Sequence, residues 1–352
     1  MSSIPTRQQP PPSGRANPSR LVSLVYVGLA GGPALFTALL LYLGVGEIAR
    51  TLASAGVGLL WVSLFHLVPI GASALGWYAV LAPVERPALR TVVSARWIAE
   101  SINQLLPALH VGGNVVRARR LARAGMPGPL AGASVVVDIT LHLFAQMLFT
   151  MLGLSLLLVS VRGAGINGSA IAGLVLSAVG AAGFYLMQRR GLFATLAALL
   201  RGVVRSDDWS PLIDGAGAMD VWVRHLYRHP RALAVAEIWH VLSWLLGAGE
   251  TWLALRFLGH PVELTTALVI ESLGEGIRTA AFPVPAALGV QEGGFVLLGG
   301  LFGLTPSVSV ALSLARRVRE LVLGIPGLLV WQAGPAATTF VRQRKESREA
   351  RE

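Results

Sequence analysis

Apolar runs of about 20 residues recur along this chain, the length that carries a helix across a bilayer. Six stretches fit: 21–43, 57–82, 130–158, 168–187, 232–258 and 307–333. Two more apolar stretches, 93–114 and 264–304, are broken by Pro, Gly and charge. The first holds Glu100, Asn103, Gln104, Pro107, Gly112 and Gly113. The second holds Glu271, Glu275, Arg278, Pro283, Pro285, Gly289, Gln291, Glu292 and Gly293. Proline interrupts helical hydrogen bonding and glycine admits close backbone approach. Backbone leaves the helix at membrane depth only where protein or a wet cavity satisfies it. Interrupted segments at matching places in two halves point to a central binding site. The pattern predicts an all-α polytopic membrane helix bundle of about six full spans. Both broken segments are expected to be re-entrant pairs of half-helices of opposite orientation, with a full crossing at either place as the alternative.

Charge fits that layout. With the N-terminus in the cytoplasm, the Arg-rich loops (Arg86, Arg90 and Arg96; Arg117 to Arg123; 188–230) and the C-terminal tail fall inside. The sparsely charged loops at 44–56, 159–167 and 259–263 fall outside, as the positive-inside rule requires. Arg316, Arg317 and Arg319 fit badly, because they lie within the sixth span. Sliding the chain by 178 residues aligns Pro107 with Pro285, Gly125 with Gly303 and Asp138 with Arg316. An inverted repeat is one reading, and chance matches among Gly and Pro the other. The expected organisation is a disordered Pro- and Ser-rich tail over 1–19, a transmembrane domain over 20–335 and a basic tail over 336–352. The run at 21–43 is too long for a signal-peptide core and is read as a retained anchor.

Composition narrows the class. The chain has 352 residues, 54% hydrophobic and only 13% charged, with no extended polar region for a soluble domain. Its net charge of +11 sits in tails and loops, so membrane anchoring explains it better than nucleic-acid binding. The chain has no cysteine, which excludes disulfides and thiolate metal sites. No nucleotide-binding loop, serine nucleophile motif or zinc-protease helix is present, and no cofactor or metal is expected.

Intramembrane ionisable residues carry the candidate chemistry, because each is costly unless partnered. Asp138, His142 and Gln146 form one stripe at i, i+4 and i+8, read either as a proton relay or headgroup contact or as an interhelical clamp. Arg316 and Arg317 are the expected partners of Asp138. Glu271 and Glu275 share a face with Arg278, which would relieve their repulsion. Arg316 and Glu320, also four apart, would neutralise each other. Arg117 lies beside freed amides that would accept a phosphate, with an interfacial amphipathic helix as the other reading. Glu250 has no evident partner. Glu237 and His240 have a metal-site spacing, but a satisfied polar pair is the more frequent outcome.

These motifs resemble a known family. Asn103-x3-Pro107, Gly112-Gly113-x3-Arg117, Gly125 and Asp138 are similar to the flippase-like membrane domain of lysylphosphatidylglycerol synthases and its stand-alone relatives. Pro283-x-Pro285-x3-Gly289-x-Gln291-Glu292-Gly293-Gly294, Gly303 and Arg317-x2-Glu320 strengthen the resemblance and look closest to a hopanoid-associated branch. Asn114 and Ile139 depart from it, standing where relatives often have an acid and an Arg. The resemblance implies a bacterial inner-membrane, multi-pass protein with cytoplasmic termini that moves hopanoids or related isoprenoid lipids toward the outer membrane. It implies no enzyme, since the synthases' soluble transfer domain has no counterpart among the 18 residues after 334. Its partners would be a membrane lipid (hopanoid or phospholipid) and lipid-biosynthesis or envelope-transport proteins, not nucleic acid. Asn103, Glu271, Glu275, Gln291 and Glu292 are expected to meet the headgroup. Glu100, Arg117, Asp138, His142, Arg278, Arg316, Arg317 and Glu320 would balance charge and gate. Pro107, Gly112, Gly113, Pro283, Pro285, Gly289 and Gly293 would break the helices. Rival readings are a secondary transporter of a polar solute, an intramembrane lipid-modifying enzyme and a noncatalytic partner of a lipid-synthesis complex.

Overall fold

The computed structural model describes residues 37–38, 41–42, 45–84, 86–106, 112–160, 185–190, 210–281, 284 and 287–349. These residues form α-helices and no strand. The chain is an all-α polytopic membrane bundle. The spans read at 21–43 and 168–187 lie almost wholly outside the described residues, as do Pro107, Pro283 and Pro285.

Helix α1 (Val45–Ser54) leads into α2 (Gly58–Phe65) and α3 (Leu67–Val80), which together make one 23-residue apolar span broken at His66. Pro69 explains the break, since it has no N–H to give the carbonyl of Phe65. Helices α4 (Leu89–Leu105) and α5 (Gly112–Arg123) follow, then the long α6 (Gly128–Ser160). After α7 (Ser210–Tyr227) come α8 (Pro230–Phe257), α9 (Leu264–Ala280), α10 (Val290–Leu301) and α11 (Pro306–Glu349). Among the described residues, three stretches are long and apolar enough to cross a membrane: Gly58–Val80, Gly128–Val159 and Pro230–Phe257.

The span expected at 307–333 falls in α11, which runs through to Glu349 without stopping at 335. It has its polar side inward. Arg316, Arg319 and Glu320 are buried, whereas Leu321, Ile325 and Leu329 are exposed at four-residue spacing. A helix against lipid is stable with apolar residues outward and charge facing protein. That orientation explains the three arginines that fitted the sequence pattern badly.

Both broken segments are helical hairpins. Helices α4 and α9 have 17 residues each, about 26 Å at 1.5 Å per residue; α5 and α10 have 12, about 18 Å. Each falls short of a hydrocarbon core of about 30 Å, so the lengths favour re-entrant pairs over crossings. Leu106 leaves α4 in extended backbone, as a residue preceding proline prefers. Gly113 then packs on the Ala99 carbonyl of α4, and its N–H donates to Asn103 Oδ1 at 3.0 Å.

The second half repeats the first. Helix α5 ends with Gly125 at φ +100° and Met126 N–H bonded to Leu121 O; α10 ends with Gly303 at φ +77° and Leu304 N–H bonded to Gly299 O. Both are the six-to-one closure that glycine makes at a helix C-terminus. They stand 178 residues apart, as do the starts of α6 and α11. The α2–α3 span packs on its counterpart α8 in an antiparallel sense: Gly58 on Phe257, Gly249 on Phe65, Ser243 on Pro69, Gly76 on His240. The swapped pairs match too, with α6 running against α9 and α4 against α11. Gln146 bonds Thr279 while Gly153 meets Ser272; Gly327 meets Ser101 while Gly324 meets Leu105. Equivalent helices that pack antiparallel are related by an axis lying across them. That is an inverted repeat.

Candidate functional site: a charge-lined cavity between the two hairpins

Residues of α4 and α9 and of the α3–α8 seam line an open cavity of about 320 Å³. Arg96, Arg117, Arg278 and Arg319 line it, and so do Glu100, Glu250, Glu271 and Glu275. The formal charges of these eight residues cancel. Asn103, Gln104, Asn114, Ile139, His142 and Trp244 complete much of the wall.

On the first-repeat side the centre is Asp138, which is fully buried. Arg117 Nη1 donates to its Oδ2 at 2.6 Å and Arg96 Nη1 to the same oxygen at 3.1 Å. His240 Nε2 lies 3.0 Å from Oδ1, but off the line of a hydrogen bond. The Arg117 guanidinium also sits over the Trp77 ring, 4.6 Å from its centre, an attraction strengthened where water is excluded. His142 stacks on Trp244. The expected pairing of Asp138 with Arg316 or Arg317 does not form. Asp138 on α6 faces α4, α5 and α8, while those arginines on α11 face the second repeat.

On the second-repeat side Arg316 bridges Glu271 and Glu275, with its Nη1 2.7 Å from Glu275. Arg278 relieves Glu275 only from 3.7 Å and reaches Glu320 at 3.4 Å. Arg316 and Glu320 therefore do not neutralise each other; each is taken by another helix. The two sides are counterparts with charge reversed. Arg96, the eighth residue of α4, pairs with Asp138 on α6; Glu271, the eighth residue of α9, pairs with Arg316 on α11, which stands 178 residues after Asp138.

A third group joins the sides. His66 Nδ1 is 2.6 Å from Glu250 Oε2, and Nε2 is 2.7 Å from Glu100 Oε1. Arg319 Nη1 donates to Glu250 Oε1 at 2.5 Å, and Gln104 Nε2 to Glu100 at 3.0 Å.

Gln291 and Glu292, expected at the headgroup, lie buried outside this cavity. Gly289, at φ +76°, starts α10 and donates its N–H to Glu292 Oε2 at 2.7 Å. Glu292 Oε1 accepts from Arg317 at 2.7 Å and from Ser313 at 2.9 Å, and Gln291 donates to Ser313 at 3.1 Å. This cluster ties the start of the second half-helix to α11. A side chain on Gly293 would meet nothing, so that glycine fills no steric need, unlike Gly113. Glu237 and His240 do not pair: His240 turns to Asp138, and the buried oxygens of Glu237 have no hydrogen-bond partner among the described residues.

The sequence reading left His66 out and gave Glu250 and Arg319 no role. One signal was available: a buried acid and a buried base within spans each require a partner, and Glu250 and Arg319 are that pair.

Residues 24–327 match the family described as the lysylphosphatidylglycerol synthase TM region. The chain belongs to this family. Neither the curated proteins nor the solved structures yield a match. The family places the chain among lipid-related membrane proteins, and its match covers both hairpins and every residue lining the cavity.

Proposed function

We propose that this member of the lysylphosphatidylglycerol synthase TM-region family is a bacterial inner-membrane lipid flippase or lipid-transport protein. A lipid's polar head passes through the cavity while its tail stays in the bilayer. The carrying observation is a cavity lined by charges of both signs and held between two inverted, broken half-helix pairs. Its volume of about 320 Å³ is at the lower end of small-molecule sites, room for a head and not for a whole lipid. A lining of four arginines and four glutamates favours a polar head of low net charge, such as that of a hopanoid or related isoprenoid lipid. Asn114 and Ile139, the two departures from the resembled pattern, are on the wall and leave it with one acid and one base fewer. The reversed-charge pairs Arg96–Asp138 and Glu271–Arg316 stand at equivalent places in the repeats. They are suited to opening in turn as the repeats rock about the site. The Arg-rich loops and both termini are assigned to the cytoplasm. The chain acts by transport, not by catalysis, in contact with lipid-biosynthesis or envelope-transport proteins.

The test is lipid analysis of a deletion strain, resolved by leaflet and by membrane. The expected result is hopanoid redistribution at unchanged total synthesis. A changed lipid product or total would favour a modifying enzyme or a synthesis partner. Unchanged lipids with lost solute uptake would favour a solute transporter.

A further inference from the structure

A neutral imidazole carries one N–H and one lone pair, and an ionised carboxylate only accepts. Both ring nitrogens of His66 meet carboxylate oxygens, at 2.6 Å to Glu250 and 2.7 Å to Glu100. Contacts this short are charge-assisted hydrogen bonds, each with a proton on the line between the atoms. One ring proton serves one contact and leaves the other as lone pair against lone pair. A second proton is needed between the three groups, and it belongs on the ring, because imidazole is more basic than a carboxylate; His66 is then an imidazolium clasped by two carboxylates.

The surroundings bear this out by charge. Glu100 comes from α4, Glu250 from α8 and Arg319 from α11, and all line the cavity. Arg319 Nη1 is 2.5 Å from Glu250 and 3.3 Å from His66 Nδ1. With His66 doubly protonated, these four groups sum to zero; with one proton gone they sum to −1, at a cost away from water. The other cations near the trio are engaged elsewhere: Arg96 on Asp138, Arg278 on Glu275 and Glu320, Arg316 on Glu271 and Glu275. Glu275 and Glu271 face the cavity from α9. His142, from α6, faces it too but turns its Nδ1 to His240.

The trio also spans the repeats. His66 and Glu100 belong to the first and Glu250 to the second. Protonated, the ring cross-links α4 to α8 through the joint before Pro69. Deprotonated, it leaves two carboxylates facing one base, and the seam loses its clasp.

We infer that His66, Glu100 and Glu250 form a proton-binding site in the cavity, and that a proton is the ion coupled to transport. The proton enters from one aqueous side, sits on His66 while the repeats are clasped, and leaves when they part. The coupling rests on the transport reading above, whereas the bound proton does not.

Two measurements test this. The chain has seven histidines, so ¹⁵N-histidine NMR of the purified full chain, compared with His66→Gln, isolates the His66 signals. Two protonated ring nitrogens at pH 7 are expected; a single neutral tautomer overturns the proposal. The second uses vesicles of phosphatidylethanolamine and a polyhydroxylated hopanoid. With one proton per lipid, a one-unit pH gradient holds the hopanoid up to about tenfold out of balance between leaflets. A protonophore should abolish the imbalance, and His66→Gln should lack it. Hopanoid that moves in the wild type but ignores the gradient overturns the coupling. If no hopanoid moves under any condition, the transport reading fails, and the NMR result alone decides the proton site.

Discussion

Asp138 shares one carboxylate oxygen between two guanidinium groups, so its loss exposes the cost of burying them. Asp138→Asn leaves Arg96 and the fully buried Arg117 without a counter-charge. Removing one partner of such a pair costs about 3–5 kcal/mol. Denaturant titration of the purified protein in detergent should show that loss. Adding Arg316→Asp to Asp138→Arg should deepen it, because Arg316 holds Glu271 and Glu275 instead; a rescue would overturn that assignment. The glycines differ in the same residue-level way. A methyl at Gly113 would lie 2.6 Å from Asn103 Oδ1 and against the backbone of Ala99, whereas at Gly293 it meets open space. Gly113→Ala should lose folded protein on size-exclusion chromatography, and Gly293→Ala should match the wild type.

At the scale of elements, the second hairpin depends on how α10 begins. Gly289 takes a left-handed turn that favours glycine, and Glu292 closes it from within the first turn while holding Arg317 and Ser313 of α11. Glu292→Ala removes that closure and leaves Arg317 without its buried acid. The expected result is a loss of stability of about 1.5–3 kcal/mol, read as a lower denaturant midpoint. Ser313→Ala, which removes one hydroxyl from the same cluster, should cost only about 1 kcal/mol. A tolerated Glu292→Ala would show that α10 is positioned some other way. Much at this scale was legible in the sequence. Gly125 and Gly303 mark helix ends, and α4 and α9 stop next to their prolines. The role of Glu292 was not legible, because a carboxylate in a hairpin reads equally as a ligand for cargo or as a cap. Only the burial of its oxygens against Gly289 and Arg317 separates the two.

For the whole molecule, the antiparallel packing of α3 on α8 puts equivalent loops on opposite faces. The exposed Arg86 lies between α3 and α4, and the exposed His260 between α8 and α9. The chain has no cysteine, so Arg86→Cys and His260→Cys each give a single label. A membrane-impermeant thiol reagent applied to intact, oriented vesicles should reach one and not the other. Equal reaction from one side would break the inverted arrangement. The 178-residue offset hinted at a repeat, yet few identities support it. An inverted pair exchanges the surroundings of equivalent residues, as the reversed charges of Arg96–Asp138 and Glu271–Arg316 illustrate.

Sequence by itself determined the class of the molecule: apolar runs of bilayer length demand helices, and Pro and Gly in two matching places demand breaks that something must shelter. It also determined that the buried charges need partners, because a lone charge in hydrocarbon is too costly to keep. Which partner each one takes was decided by tertiary structure alone. Asp138 goes to α4 and α5, and Arg316 to α9, each 21 to 45 residues away within its own half, because each hairpin packs on the long helix that follows it. His66 stands between Glu100 and Glu250 because the inverted halves interlock, which brings His66 and Glu250 together across 184 residues, and no local spacing encodes it.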